Sequence, residues 1–297
     1  MNISTRTLAR LTLSTALLAL SSTGSWAQQQ VQAGDITITV RGEGKPVLMI
    51  PGLNSAASTW EDTCTALQPG VQCHMAQLPG FAGAPASERY RAGVIASATA
   101  DLNAYLKQRP MPVVGHSLGG VIALNMALQP QARVKRLVIV DSLPFFSAMQ
   151  NPAMTPEQTR PMAEAQRSAM IAGGMSEEAQ RAMLARMAAT MAQDSQRQAA
   201  IVQWGMSSDR STTAQAMFDM TQTDLRAAIA GIQVPTTVLG SWAAYKPFGS
   251  TKESTQAIFQ TQFQALKPLE LRMSESGYHF LMWDDAALVT AAIRNAL

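Results

Sequence analysis

The residues best suited to chemistry lie in Val113-Val-Gly-His-Ser-Leu-Gly-Gly120, which fits the pattern G-x-S-x-G. Met111 to Val114 reads as a short buried strand, and an apolar helix follows Gly120 to about Leu128, so the pattern stands between a strand and a helix. A sharp turn there exposes the Ser117 hydroxyl at the strand's carboxyl end, where open α/β sheets keep their sites. Small neighbours are needed because the nucleophile occupies strained backbone that larger side chains would crowd. A serine hydroxyl is a weak nucleophile alone and needs a general base. Three histidines are available, His74, His116 and His279. His116 adjoins Ser117, so its side chain should point away. His74 lies inside a strand candidate and reads as structural. His279 follows the last strand candidate and precedes the closing helix, which leaves it as the base.

The elements that must position these residues can be read from hydropathy and punctuation. Asp35 to Val40 alternates like a half-buried strand, and Pro46 to Ile50 is a continuous apolar run ending at Pro51-Gly52. Val71 to Leu78, Arg136 to Asp141, Pro235 to Leu239 and Leu269 to Met273 are further strand candidates. Residues 87–108 read as a helix with Ser87 as candidate N-cap, and 284–297 as a closing helix. Short apolar strands alternating with helices predict a mostly parallel sheet covered on both faces. Between Asp141 and Gly231 strand patterns vanish, and eleven of the eighteen methionines fall between Met149 and Met220. Broken by Pro152, Pro156, Pro161 and Gly173-Gly174, this stretch reads as an inserted helical lid over 142–228. The core is then 28–141 and 229–297. Methionine adapts to varied apolar partners, so most of these side chains are expected to pack the lid on the core.

The first segment has a different purpose. Arg6 and Arg10, the apolar Leu11 to Leu20 and the small-residue site Ser25-Trp26-Ala27 form the three-part pattern of a secretory signal peptide over 1–27. The apolar run is too short to remain as a stop-transfer helix, so no stable membrane anchor is expected after cleavage. The chain carries 23 Lys plus Arg against 20 Asp plus Glu. Removing Arg6 and Arg10 leaves 21 against 20, so the basic excess belongs mostly to the export signal. Nucleic acid is therefore not an expected partner. Periplasmic or secreted localisation also bears on Cys64 and Cys73, which would plausibly close one short disulfide in an oxidising compartment; the alternative is two buried thiols. No cluster of residues suggests a metal, and no cofactor is expected. The sequence sets no oligomeric state.

Taken together, Met49-Ile-Pro-Gly-Leu-Asn54, Leu78-Pro-Gly-Phe-Ala-Gly83, Gly115-His-Ser-Leu-Gly-Gly120 and Gly277-Tyr-His-Phe280 resemble the α/β-hydrolase superfamily. The likeness is to an exported bacterial member of its lid-bearing lipase, esterase and haloperoxidase-like branch. It implies an α/β-hydrolase fold, His279 as base, and oxyanion-hole N–H groups at Leu53 and Leu118. In that family the acid usually follows the penultimate strand, yet Val238-Leu-Gly-Ser-Trp-Ala-Ala-Tyr-Lys246 holds no carboxylate. Some branches carry it after the strand that follows the nucleophile helix, where Asp141 stands. Asp141 would orient His279 and stabilise its imidazolium, or else bond backbone in the turn before Pro144. Asp224, Asp219 and Asp209 are alternative acids. Trp60, Phe81, Phe145, Phe146 and Trp242 lie near strand ends, as pocket lining or as core aromatics. The implied activity is hydrolysis of small apolar carboxylic esters through an acyl-enzyme. Alternatives are haloperoxidase-like or C–C bond hydrolysis on the same residues, or a non-catalytic binding protein of this fold.

Overall fold

The computed structural model describes residues 28–149 and 151–297, so the signal segment read in 1–27 lies outside the described residues. Strands β1 (Gln29–Ala33), β2 (Ile36–Arg41) and β3 (Gly44–Ile50) come first. Helix α1 (Glu61–Leu67) leads to β4 (Gly70–Gln77), then α2 (Glu88–Ala92) and α3 (Val94–Leu106). Next are β5 (Met111–His116), α4 (Leu118–Leu128) and β6 (Val134–Val140). Four helices follow: α5 (Pro156–Ala172), α6 (Glu177–Ala188), α7 (Ser195–Ser207) and α8 (Arg210–Gln222). The chain then returns to β7 (Thr236–Gly240), α9 (Lys252–Gln262) and β8 (Leu269–Met273), and finishes with α10 (Leu281–Asp284) and α11 (Ala286–Ala296).

The strands make one sheet in the order β1-β2-β4-β3-β5-β6-β7-β8. Pairings β1–β2 and β2–β4 are antiparallel, and every later pairing is parallel. Side chains along a strand alternate between faces, and here both faces are covered. In β3, Leu48 and Ile50 join the core under α3, α4 and α9, whereas Val47 and Met49 join the core under α1 and α11. Leu137 and Ile139 oppose Val138 and Val140 in the same way in β6. That double burial is why these strands read as continuous apolar runs.

The sequence reading missed one strand and needs one correction. Strand β1, Gln-Gln-Val-Gln-Ala, offers only Val31 and Ala33 to the core and pairs with β2 across the two-residue Gly34-Asp35 turn. The helix expected over 87–108 is two helices, α2 and α3, divided at Gly93, and Ser87 gives its hydroxyl to Asp35 rather than to a cap. The closing helix read over 284–297 is α11, capped by Asp285, with the short α10 just before it.

In the helical stretch, Thr155 and Gln158 form a capping box on α5 with Pro156 in its first turn, and Pro161 is accommodated within the helix. Ser176, Asp194 and Asp209 cap α6, α7 and α8. Helix α5 packs on α8, and α6 on α7. Met220, Met191 and Met206 pack inward, whereas Met162, Met175, Met183 and Met187 are exposed. Among the described residues no helix is long and apolar enough to cross a membrane. Cys64 and Cys73 are joined as a disulfide, tying α1 to β4.

Candidate active site

Strand β5 ends at His116, and α4 begins at Leu118, so the turn between them is one residue long. Ser117 pays for that sharpness with φ 53° and ψ −120°, backbone that a side chain rarely adopts. The surrounding chain over-determines the turn. A Cβ at Gly119 would collide with the carbonyl oxygens of Ile50 and Pro51, and one at Gly115 with the carbonyl of Gly119. Ser117 N–H donates to Val140 O at 3.0 Å, locking the elbow to β6. The turn after β3 runs equally close: a Cβ on Gly52 would stand 3.1 Å from the Ser117 Cβ. This brings Leu53 to the serine's neighbourhood. Leu118, on the other side, is the first residue of α4, where an N–H has no intrahelical partner. Asn54 continues the turn at φ 57° and accepts from Thr213 Oγ1 of α8 at 2.7 Å, an arrangement its short polar side chain suits.

At the end of β6, Asp141 turns with φ 46° and gives its N–H to Leu239 O at 2.7 Å. Its Oδ2 lies 2.6 Å from His279 Nδ1, and both side chains are largely buried. A carboxylate there only accepts, which places the imidazole proton on Nδ1 and the lone pair on Nε2. The loop carrying His279 is held from three directions. Tyr278 N–H donates to Asp284 Oδ2 at 3.0 Å, and Phe280 N–H to Met191 O, between α6 and α7, at 2.9 Å. The third hold is His116, whose Nε2 donates to His279 O at 3.1 Å. Its ring stands 4.6 Å from that of His279 and 4.7 Å from that of Phe280. Burial, with the neighbouring His279, pushes the His116 pKa well below its ordinary value and keeps this ring neutral.

The other candidates have separate employment. His74 is buried, bonded to Tyr105 Oη at 2.7 Å and Gln72 at 3.0 Å, and burial lowers its pKa to about 4. Asp209 caps α8 and pairs with Arg91. Asp219 accepts from the N–H groups of Val94 and Ile95 at the start of α3. Asp224 pairs with Arg226 at 2.6 Å and also accepts the Arg226 N–H. Of the four carboxylates, only Asp141 meets His279. Among the aromatics, Trp60 and Phe81 belong to the two cores, and Phe145 is fully buried beneath the Arg226 guanidinium. For those three the structure shows core packing, the other of the two readings their sequence positions allow. Phe146 is exposed, and Trp242 is half-buried with its Nε1 donating to Ser274 O. No cluster of three or more metal-binding side chains occurs among the described residues.

Two polar groups at the site were not singled out from sequence. One is the His116 donor, expected only to turn away from Ser117. The other is Ser241, just after β7, which donates its N–H to Asp141 Oδ1 and its hydroxyl to Asp141 Oδ2, both at 2.7 Å. Its signal was present: it falls in the stretch where the family's acid is usually found.

A family profile described as alpha/beta hydrolase fold matches residues 45–229, more than half of the chain. The chain belongs to the α/β-hydrolase family. The matched span contains Ser117 and Asp141, and His279 lies beyond it. This α/β hydrolase is 31% identical over 109 residues to a pimeloyl-[acyl-carrier protein] methyl ester esterase from Vibrio campbellii, covering 36% of this chain and 41% of that relative. The chain thus matches about two fifths of the relative's length. Its fold is shared with an esterase from Exiguobacterium antarcticum, TM-score 0.69 at 18% identity over 91% of this chain and 98% of the other. It is shared equally with an enol-lactonase from Burkholderia xenovorans LB400, TM-score 0.69 at 16% identity over 90% and 98%.

Proposed function

We propose that this α/β hydrolase is an exported serine esterase acting on small apolar carboxylic esters. Ser117 Oγ attacks the acyl carbon while His279 Nε2 takes its proton, and Asp141 stabilises the imidazolium. The N–H groups of Leu53 and Leu118 receive the oxyanion, a role in which backbone donors are fixed before the charge develops. His279 then protonates the departing alkoxide, and a water activated by the same nitrogen hydrolyses the acyl-enzyme. The observation that carries the reading is the 2.6 Å contact between Asp141 Oδ2 and His279 Nδ1. The strained Ser117 at the end of the neighbouring strand β5 supports the same reading over a merely binding site. Esterase chemistry in the Vibrio campbellii relative supports an ester substrate. Acyl carrier protein itself is not carried over, since the match covers under half of that relative.

Helices α5 to α8 act as the lid in this reading. Two open grooves, of about 210 Å³ by Arg136 and Pro235 and about 460 Å³ by Met175 and Arg210, lie away from Ser117.

Replacing Ser117 by Ala should abolish p-nitrophenyl ester hydrolysis and labelling by a fluorophosphonate, with circular dichroism unchanged. Turnover surviving at the parent rate would sink the reading, and a substrate panel that includes C–C bond substrates separates the sister activities. Export is supported by the Cys64–Cys73 bond, because disulfides persist in oxidising compartments. Mass spectrometry of protein recovered outside the cytoplasm should find Gln28 as its first residue. Recovery of full-length chain from the cytoplasm alone would overturn the address.

A further inference from the structure

Strand β7 ends beside β6, and the residue just past it is Ser241, 5% exposed. Its backbone is anchored on both sides. Gly240 O accepts from Ser274 N–H at 2.9 Å, and the Trp242 ring is fixed by its own bond to Ser274 O at 3.1 Å. From this fixed point Ser241 reaches both oxygens of one carboxylate, N–H to Asp141 Oδ1 and hydroxyl to Asp141 Oδ2, each at 2.7 Å. Asp141 has particular need of the hold. It sits on positive-φ backbone, and its carboxylate would otherwise rotate about a broad terminal torsion. A carboxylate plane fixed at both oxygens leaves Oδ2 aimed at His279 Nδ1, 2.6 Å away.

We propose that Ser241 is a positioning residue for ester hydrolysis, which holds the Asp141 carboxylate in the plane that His279 requires. The end of β7, where the usual acid is absent, thus serves the site by clamping an acid supplied by β6. Ser241 touches no reacting atom and acts only through Asp141. The inference rests on the proposed assignment of Asp141, and its test includes a control for that assignment.

The test compares Ser241→Ala, Ser241→Cys and Ser241→Thr with Asp141→Asn on a p-nitrophenyl ester. Ala keeps the N–H bond and loses the hydroxyl, so kcat should fall roughly tenfold, the cost of one charge-assisted hydrogen bond in the barrier, with KM within about twofold. Fluorophosphonate labelling should slow in parallel, because it reports activation of Ser117 without substrate release. Cys has nearly the same shape and a weak donor, so it should stay slow should Ala fold poorly; Thr restores the hydroxyl and should recover most of kcat. The low-field proton resonance of His279 Nδ1 should move in the Ala variant. Parent kcat in both Ala and Cys variants alongside an inactive Asp141→Asn would overturn the role of Ser241 alone. Parent kcat in Asp141→Asn as well would instead overturn the acid assignment beneath it.

Discussion

The elbow at Ser117 and the corner at Asp141, the proposed nucleophile and acid, stand at the carboxyl ends of adjacent strands, yet they are built on contrasting principles. Ser117 is held mainly by collision, with one backbone bond to Val140 O beside it. Its strained backbone persists because Gly115, Gly119 and the turn at Gly52 leave the chain no room to relax. Asp141 also has positive φ, but it is held by attraction, through hydrogen bonds from Ser241 and His279, 100 and 138 residues further along the chain. Steric confinement makes a turn of one shape and tolerates almost no side chain. A hydrogen-bonded corner needs only that some donor reach the carboxylate, so its parts are separable and individually replaceable. The elbow should therefore fail as a unit, whereas the corner should fail by degrees.

The largest expected break of this contrast is at Asp141. Asp141→Asn keeps the shape but presents an amide that can force the wrong tautomer on His279. In a Ser-His-Asp triad that change costs roughly 10⁴-fold in kcat, the loss that the proposed role of Asp141 predicts. Asp224→Asn should leave kcat within about twofold, because the Asp224 carboxylate serves Arg226 between α8 and β7. Steady-state hydrolysis of a p-nitrophenyl ester by the two variants reads both outcomes. Loss at Asp224 with retention at Asp141 would reverse the assignment.

The same contrast explains what the amino-acid order made legible. The elbow is local, so Gly115, Ser117 and Gly119 appear together, and the apolar runs flanking them announce a sheet buried on both faces. Strand β1 is hard to read because only Val31 and Ala33 of its five residues face the core, and its place is set by pairing with β2. The break at Gly93 went unread because Asp219, distant in sequence, provides for the N–H groups that begin α3. Trp60, Phe81 and Phe145 could be placed near strand ends, but one-dimensional spacing cannot say whether an aromatic lies under a loop or faces a cavity. Ser241 shows the limit best. The missing carboxylate after β7 was evident, whereas the hydroxyl that answers it from the same stretch acquires meaning only when β6 lies alongside.

His116 joins the two halves, and an effect far smaller than that at Asp141 is predicted there. It belongs to the elbow by sequence and to the base loop by contact, since its Nε2 donates to His279 O while its Nδ1 is buried without a partner. His116→Phe keeps a ring between His279 and Phe280 but removes the donor. The kcat should drop about tenfold, as expected for one lost buried hydrogen bond, with KM little changed. His116→Gln can place an amide donor near the same carbonyl and should recover part of the loss. The pH dependence of stability supplies an independent reading. Because burial holds the native His116 pKa below the ordinary 6.5, the unfolded chain binds more protons as pH falls below that value. This contribution to stability is intact above pH 6.5 and is lost progressively on acidification. His74 titrates in the same sense, down to about 4. Removing only His116 should therefore flatten, without abolishing, the decline in Tm between pH 7 and the acid range. A His116→Gln profile parallel to the parent's would show that His116 is not held neutral, and hydrolysis unaffected in His116→Phe would mean the base loop keeps its position without the elbow's help.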